Sequence, residues 1–452
     1  MNNPNEHGLK RSLSLMTVIA LGINGVIGQG IFLLPGKAAG LLGPASLIAL
    51  LIGGFLCFLI ALCFAEVASR FDETGGAYVY AKRAYGDFIG FEVGWMTCCV
   101  AVISWAALAN GLMLVVANLA PETWQAAVLV FGETVPGVDA QSADGTLRKL
   151  LAVTVMTVLM GVNLFGAKQG AAISTIFSIA KLLPMVVFVT IGIFYIEGVR
   201  FEGFAPHGWE NLGETTMVLL YAFVGFETLV VPAGEMENPK RNVPLALLAV
   251  MVVVTIVYVG VLSVSIGTLD GLAGHENPVA AASQIFLGPT GGLIIAVGIG
   301  ISVFGTNAGA AFVSPRRFFA MAERGDLPRV FSKLNGQTGT PRAAIILTWA
   351  LAVGLCLSGS FTELAVLGVM ARFLQYIPTC LAVLVLRHRD TTAHDGFRVP
   401  GGSLIPLTAI GLCCWLLFET PWARLKMGLY FVGFGCVLYG FKHFLGAQAK
   451  TD

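Results

Sequence analysis

The chain has 452 residues and a net charge of +1; 56% of its residues are hydrophobic and only 12% are charged. Soluble domains contain about 25% charged residues, so this composition excludes an ordinary soluble protein. Apolar runs of roughly 20 residues throughout predict a polytopic helical membrane protein. The near-zero net charge provides no general attraction to nucleic acid, and we expect neither a nucleic-acid partner nor a cofactor.

No cleavable signal is expected, because the stretch from Asn2 to Arg11 is short and polar and the apolar segment after it is too long for a signal peptide. All nine cysteines fall within predicted spans, so neither an extracellular disulfide nor a CxxC metal site is expected. They are Cys57, Cys63, Cys98, Cys99, Cys356, Cys380, Cys413, Cys414 and Cys436.

Turn residues and charges divide the chain into twelve apolar segments. The segments are 14–40, 44–68, 87–118, 148–166, 171–196, 213–235, 242–267, 286–322, 342–359, 362–387, 404–420 and 425–445. The predicted fold is therefore all-α, a polytopic membrane protein with twelve transmembrane helices. An even number of spans puts both termini on one side.

The distribution of Lys and Arg predicts which side this is. Of the 27 such residues, nineteen fall in loops on one side and six in loops on the other. Loops rich in Lys and Arg stay in the cytoplasm. We therefore expect two cytoplasmic tails, 1–13 and 446–452, and a location in the plasma (cell inner) membrane.

The first segment contains an interruption that membrane helices normally avoid. Gly25, Gly28 and Gly30 lie within about two helical turns. Unwound backbone exposes N–H and C=O groups, and each unsatisfied group costs several kcal/mol in lipid. Such a break is tolerated where it lines a cavity, and in transporters it forms the substrate site. The pattern therefore predicts a transporter.

The sixth segment repeats this pattern, with Gly225 and Glu227 near its centre. An offset of five segments inverts the second copy in the membrane, which predicts a 5+5 inverted repeat with the site at the midplane. The first repeat would cover 14–200, the second 201–390, and two extra helices 391–445. Alternatively the glycines serve only helix packing, but two breaks at matching positions favour the first interpretation.

Several motifs follow one another along the chain. They are 26–32, 64–71 with 75–80, 223–227 with 233–244, Asn307 with 315–316 and 320–322, and 397–401. Together they resemble the amino acid–polyamine–organocation (APC) superfamily nearly end to end. This resemblance implies a LeuT-type fold in which helices one and six are unwound at mid-membrane. Gln29 departs from the family, which more often has Ser or Thr there; its longer side chain either narrows the pocket or hydrogen-bonds the ligand.

An amino acid zwitterion needs an anion site and a cation site close together, and a broken helix supplies both. Free N–H groups at the start of the second half bind a carboxylate, and we assign this role to Gln29 and Gly30, with Gly28 allowing close approach. Free carbonyls of residues 24–26 and 223–224 would bind the ammonium. The resemblance implies the same roles. The predicted substrate-binding residues are Asn24, Val26, Ile27, Gly28, Gln29, Gly30, Tyr221, Phe223, Val224 and Gly225.

Two side chains of the sixth segment have open roles. Tyr221 stands one turn before the break, where family members often carry an aromatic lid over the substrate; alternatively it is a packing aromatic. Glu227 is costly in lipid, so it should face the cavity or a polar partner. It either ties helices together or carries a proton.

Lys181 lies within the fifth segment, roughly 15 Å or more from either interface, which is too far for easy snorkelling. A buried ammonium needs carbonyl or carboxylate partners. Sodium-coupled relatives hold a metal ion between helices one, five and eight, and sodium-independent members have a similar lysine in its place. The resemblance therefore implies sodium independence, with Lys181 either titrating in a proton-coupled cycle or acting as a fixed cation in an exchanger.

Other cationic residues are expected to be structural. Arg372 should pair with Glu227 or Glu66, beside the pathway; alternatively it repels cationic substrates. The pair 316–317 and the tract 386–389 are predicted to be cytoplasmic anchors.

These observations predict a secondary active transporter that moves amino acids by alternating access, through proton symport or amino acid exchange. Small or branched neutral amino acids are the preferred substrates, because the two breaks are apolar apart from Gln29 and Glu227. A cationic amino acid or polyamine antiporter, with Glu227 as counter-charge, is the alternative. The partners would be the amino acid, a proton or counter-substrate and the lipid bilayer, with the protein a monomer or homodimer.

Other classes fit less well. An enzyme is not expected, because the histidines fall in loops or at the termini without metal-binding spacing. A channel would need a filter of repeated carbonyls or a charged ring. A nutrient sensor built on a carrier scaffold usually adds a long soluble domain.

Overall fold

The computed structural model describes residues 13–71, 73, 75–135, 140–165, 181–231, 233, 236–275, 277–389, 396–420 and 422–448. Most of both predicted tails, the first part of the predicted fifth segment and two residues of the motif 233–244 lie outside these ranges. The described residues form helices and loops, with one isolated bridge between Leu13 and Met236.

The helices follow one another along the whole chain. They are α1 (Leu15–Val26), α2 (Gly30–Leu42), α3 (Ser46–Ala68), α4 (Ala77–Tyr85), α5 (Asp87–Leu119), α6 (Pro121–Thr134), α7 (Ala140–Phe165), α8 (Lys181–Tyr195), α9 (Leu212–Phe223), α10 (Pro239–Thr268), α11 (Pro278–Glu323), α12 (Arg342–Ser358), α13 (Phe361–Arg389), α14 (Leu404–Phe418) and α15 (Trp422–Gln448).

Length and hydropathy identify the helices that suit a membrane. Within the described ranges, six stretches are long and apolar enough to cross a bilayer. They are Leu15–Ala68, Asp87–Leu119, Ser142–Phe165, Pro239–Thr268, Pro278–Glu323 and Val366–Arg389. Helices α8, α12 and α14 are shorter but also apolar. These helices are those of a polytopic membrane protein.

Helix α5 forms the centre of the bundle. Its most apolar window is 78% buried, compared with 22% for α7, so α7 lies at the periphery. Helix α5 packs against α11, α13 and α4, while α3 packs against α9 and α10. The broken pair α1 and α2 contacts α9, α10 and α11. The chain interruptions are therefore enclosed by helices on several sides, as unwound backbone in a membrane requires.

Three local features differ from the sequence prediction. The predicted loops between segments two and three and between segments three and four contain helices α4 and α6. Both are less apolar than the predicted spans, so a search for long apolar runs passes over them. Helix α11 begins at Pro278 rather than at residue 286, because a kink at Gly288 (φ +68°) joins an earlier helical stretch to the predicted one.

An ionic cluster joins the ends of three helices. Asp326, just beyond α11, accepts hydrogen bonds from Tyr78 and Lys82 of α4 and from Lys442 of α15. The Lys82 and Lys442 ammonium groups lie 2.8 and 2.5 Å from its carboxylate oxygens. Burial alone would raise the pKa of Asp326, but the hydrogen bonds from Lys442, Lys82 and Tyr78 hold this pKa below its ordinary value.

Candidate substrate-binding site

The first helix break lies where the glycines predict it. Helix α1 ends at Val26 and α2 begins at Gly30. The N–H groups of Gly28, Gln29 and Gly30 make no hydrogen bond to any residue that the structure describes. They are the free donors of a helix N-terminus, which carries a partial positive charge. This end of α2 can therefore accept an anion.

The second break is made at Gly225. Helix α9 ends at Phe223, Val224 is extended, and Gly225 has φ +117°. A Cβ atom at Gly225 would lie 2.2 Å from the carbonyl oxygen of Gly25. Only glycine combines this backbone conformation with such a close approach. The two breaks therefore touch each other directly.

The carbonyl groups near the breaks differ in whether they already accept a hydrogen bond. Among the described residues, the Phe223 and Val224 carbonyls accept no hydrogen bond. The Val26 carbonyl accepts one from the Tyr258 hydroxyl (3.3 Å), which also bonds the Ala222 carbonyl (2.9 Å). The sequence prediction missed Tyr258, a hydroxyl within an apolar segment that joins the two broken helices. The carbonyls that remain most able to accept a hydrogen bond are therefore those at the end of α9.

A cavity of about 290 Å³ extends from these breaks. Of the predicted substrate-binding residues, the cavity is lined by Asn24, Val26, Gly28, Gln29, Gly30, Tyr221, Val224 and Gly225. Ile27 and Phe223 are buried beside it but do not line it, and neither do the predicted coupling residues Lys181 and Glu227. The predicted site residues are therefore brought together, with four of them behind the cavity wall.

Gln29 and Tyr221 both line the cavity, and their side chains contact each other. The Gln29 Nε2 atom donates to the Ala107 carbonyl at 3.0 Å and to the Tyr221 hydroxyl at 3.4 Å. The side chain lies against Gly111 of α5, where a Cβ would be 2.1 Å from the Gln29 Oε1 atom. A glycine on α5 therefore makes room for the long side chain that distinguishes this sequence.

Lys181 is buried between two elements of the site. Its ammonium donates to the carbonyls of Asn24 (3.2 Å) and Ile27 (2.6 Å) and to the hydroxyl of Thr306 on α11 (2.9 Å). The expectation of carbonyl partners is confirmed. Thr306 is a further residue that the sequence prediction missed. The ammonium thus ties α8 to the first break and to α11.

Glu227 and Arg372 form an ion pair behind the second break. The Arg372 Nε atom lies 2.7 Å from Glu227 Oε1, while Glu227 Oε2 accepts from the Tyr376 hydroxyl (2.9 Å) and the Gly225 N–H (2.8 Å). The predicted pairing of Arg372 with Glu227 is confirmed; Glu66 instead pairs with Arg387. Arg372 also lines the cavity.

Comparison with known proteins identifies the family. A profile of the amino acid permease family matches residues 13–424. The chain belongs to the amino acid permeases of the APC superfamily.

Three relatives from Bacillus subtilis (strain 168) are similar over nearly their whole lengths. A methylthioribose transporter is 26% identical over 436 residues, 95% of this chain and 93% of the relative. The serine/threonine exchanger SteT is 28% identical, covering 92% of each chain.

The third relative is the branched-chain amino acid permease BcaP, 27% identical over 96% of this chain and 93% of its own. The three are named as a transporter, an exchanger and a permease, so this permease is a transport protein and not an enzyme. It is an integral membrane protein, as its apolar helices require.

One expectation about the permease is wrong. The pair 316–317 was predicted to anchor the cytoplasmic surface, but Arg317 is only 5% exposed and lines the cavity. Arg316, by contrast, is half-buried, with its guanidinium 3.4 Å from the ring centre of Phe312. Successive residues of a helix point about 100° apart, so the two arginines face different surroundings.

Proposed function

We propose that this permease is a secondary active carrier that binds one amino acid zwitterion where its two broken helices meet. A single arrangement supports this most directly. The free N–H groups of residues 28–30 and the unoccupied carbonyls of residues 223–224 lie on opposite broken helices, which touch at Gly25 and Gly225 beside one cavity. The first set suits a carboxylate and the second an ammonium.

The proposed ammonium site differs in one respect from the sequence expectation. The carbonyls of Asn24 and Val26 already accept hydrogen bonds from Lys181 and Tyr258. We therefore assign the ammonium chiefly to the carbonyl of Val224, because Val224 lines the cavity whereas Phe223 lies behind its wall. Tyr221, whose side chain lines the cavity beside Gln29, would then close over the bound substrate as a lid.

The proposed architecture has twelve transmembrane helices arranged as a 5+5 inverted repeat, covering 14–200 and 201–390, with two extra helices in 391–445. Two observations support it. Helices α1 and α9, the proposed first and sixth spans, both end at a break after twelve residues. Lys181 and Arg372, on the proposed fifth and tenth spans, both donate to groups at these breaks or next to them. The excess of cationic loops supports cytoplasmic termini in a plasma (cell inner) membrane.

We propose small or branched neutral amino acids as substrates. The cavity is lined largely by apolar side chains, among them Val26, Val100, Ala101 and Leu108, which suit an uncharged side chain. The names of the serine/threonine exchanger and the branched-chain permease agree with this choice. The cationic alternative is weaker, because Glu227 is already held by Arg372, Tyr376 and Gly225 and is no longer a free counter-charge.

Transport is proposed to be independent of sodium. The Lys181 ammonium lies within 3.2 Å of three oxygen atoms, from Asn24, Ile27 and Thr306. A second cation among these oxygens would be repelled at short distance in a medium of low dielectric constant. The energy would then come from a proton or from a counter-substrate.

Purified protein in sodium-free proteoliposomes tests this proposal. Liposomes are loaded with or without unlabelled amino acids, a pH gradient is applied, and the uptake of a labelled amino acid mixture is followed. Uptake that needs internal amino acid indicates exchange, and uptake driven by the pH gradient alone indicates proton symport. Uptake that appears only after sodium is added would contradict the role of Lys181, and no uptake of any amino acid would contradict the proposed function.

A further inference from the structure

Arg317 is a buried cation in the cavity with most of its donors unused. Its side chain is only 5% exposed, yet it lines the cavity. One guanidinium nitrogen donates to the Thr97 carbonyl at 3.0 Å, and Nε has no hydrogen-bond partner in the described part of the chain. Arginine carries five N–H donors. Among the residues that the structure describes, no carboxylate lies within ion-pair distance of this side chain.

Arg372, the other arginine that lines the cavity, is satisfied. It pairs with Glu227 at 2.7 Å, donates to the Gly368 carbonyl at 2.9 Å and donates to the Ser104 hydroxyl at 2.9 Å. A buried charge without a partner is unfavourable by several kcal/mol. Glu227 acts on Arg317 only at a distance and is itself held by Arg372, so the unused donors of Arg317 are available to something that enters the cavity.

The position of Arg317 on α11 separates it from the first helix break. It follows Thr306 by eleven residues on α11, which is roughly 16 Å along the helix axis at 1.5 Å per residue. Thr306 lies at the level of Gly28, because a Cβ at Gly28 would be 3.5 Å from its methyl group. An amino acid held at the breaks is too short to reach Arg317. Leu13, which precedes α1, also lines the cavity and marks its end on the side where α1 begins.

We propose that Arg317 forms a second subsite, which holds the carboxylate of an amino acid between the helix breaks and the end of the cavity marked by Leu13. This inference rests on the proposed function, because it takes the ligand to be the transported amino acid. The planar guanidinium offers two parallel donors to a carboxylate. The subsite receives the substrate on one face of the membrane only.

Half-saturating concentrations measured separately from the two faces test the subsite. Right-side-out and inside-out membrane vesicles carrying wild-type or variant permease are compared. The substrate is the neutral amino acid with the highest uptake in the proteoliposome experiment. Arg317→Gln should raise the half-saturating concentration roughly tenfold on the face where Arg317 lies, as expected for loss of one charge-assisted hydrogen bond. The opposite face should change less than about twofold. Arg316→Gln, at the neighbouring position, should leave both faces unchanged.

The one-sided change separates a binding role from a structural one. A distorted bundle would shift both faces together, and that result, like no shift on either face, would overturn the proposal. If Arg317→Gln does not accumulate in the membrane, Arg317→Lys keeps the charge and loses the paired donors, and it should still give a one-sided increase of about threefold. Wild-type vesicles that transport neutral amino acids but show no sided effect in the variants contradict the subsite alone. Wild-type vesicles without any amino acid transport contradict the proposed function as well.

Discussion

Substitution of Gly28 by alanine separates substrate binding from protein stability. An alanine Cβ at this position would lie 3.5 Å from Thr306 Cγ2 and 3.6 Å from Leu108 Cδ2, which are ordinary van der Waals distances. The substitution should therefore change the free energy of unfolding by less than about 1 kcal/mol. Thr306 and Leu108 both line the cavity, so the added methyl group occupies space through which a carboxylate approaches the free N–H groups.

The expected loss follows from the hydrogen bonds that the methyl group obstructs. A hydrogen bond to a charged group contributes about 1.5–3 kcal/mol, so losing one weakens binding roughly 10- to 150-fold. Titration calorimetry of purified wild-type and Gly28→Ala protein without sodium measures this change, and thermal unfolding measures stability. Wild-type affinity in a variant of unchanged Tm would refute the assignment of the carboxylate to this break.

Gly30→Ala provides the contrasting control. A Cβ at Gly30 would lie 2.9 Å from the Ala222 Cα atom and 3.2 Å from its Cβ. Helices α2 and α9 would have to separate, and overpacking of this kind costs about 1–3 kcal/mol. This variant should lose binding and thermal stability together. If Gly28→Ala behaves in the same way, its binding loss is a consequence of distortion and not of an obstructed site.

Three further substitutions test two charged groups beside the site and the ionic cluster at the helix ends. Lys181→Met keeps the side-chain length but removes the ammonium that three oxygen atoms surround. Sodium-free uptake in proteoliposomes should fall at least about tenfold. A variant with wild-type uptake and unchanged pH dependence would show that Lys181 has no part in transport. Glu227→Gln leaves Arg372 without its ionic partner and should lower the free energy of unfolding by about 3–5 kcal/mol. Adding Arg372→Gln to this variant should restore part of the lost stability. If thermal unfolding shows that the losses of the two substitutions simply add, the pair is not coupled. Asp326→Asn should lower stability by about 1–3 kcal/mol at pH 7. Because hydrogen bonds hold the pKa of Asp326 low in the folded state, its contribution is present above the unfolded pKa of about 4 and is lost as pH falls through the folded pKa. The Tm of the wild type should therefore fall more steeply than that of Asp326→Asn below about pH 4, and parallel Tm curves would contradict this.

The helix breaks could be predicted because glycine acts locally. Gly28 and Gly30 weaken the helix wherever the rest of the chain lies, and the same holds for Gly225. Lys181 could be singled out for a similar reason, since an ammonium deep in an apolar segment requires polar partners whatever their identity. The Glu227–Arg372 pair could be predicted because a buried arginine needs a carboxylate partner, and the apolar segments contain few carboxylates.

The residues missed by the sequence depend on contacts between distant parts of the chain. Tyr258 and Thr306 bond to carbonyls more than 200 positions away, and a single sequence does not specify such a pairing. Arg317 could not be distinguished from Arg316, because the rotation of α11 about its axis is set by its packing against α5 and α12. Helix α4 was missed because it is not apolar, so its position depends on contacts such as that between Lys82 and Asp326.

The central claim is that the two broken helices recognise both charged ends of one amino acid. Calorimetric titration of the purified protein in sodium-free buffer tests it most directly, with a transported neutral amino acid, the amine that lacks its carboxylate and the acid that lacks its amino group. The account predicts that only the intact amino acid binds measurably, because each analogue leaves one set of backbone groups without a partner. Equal binding of either analogue would contradict it.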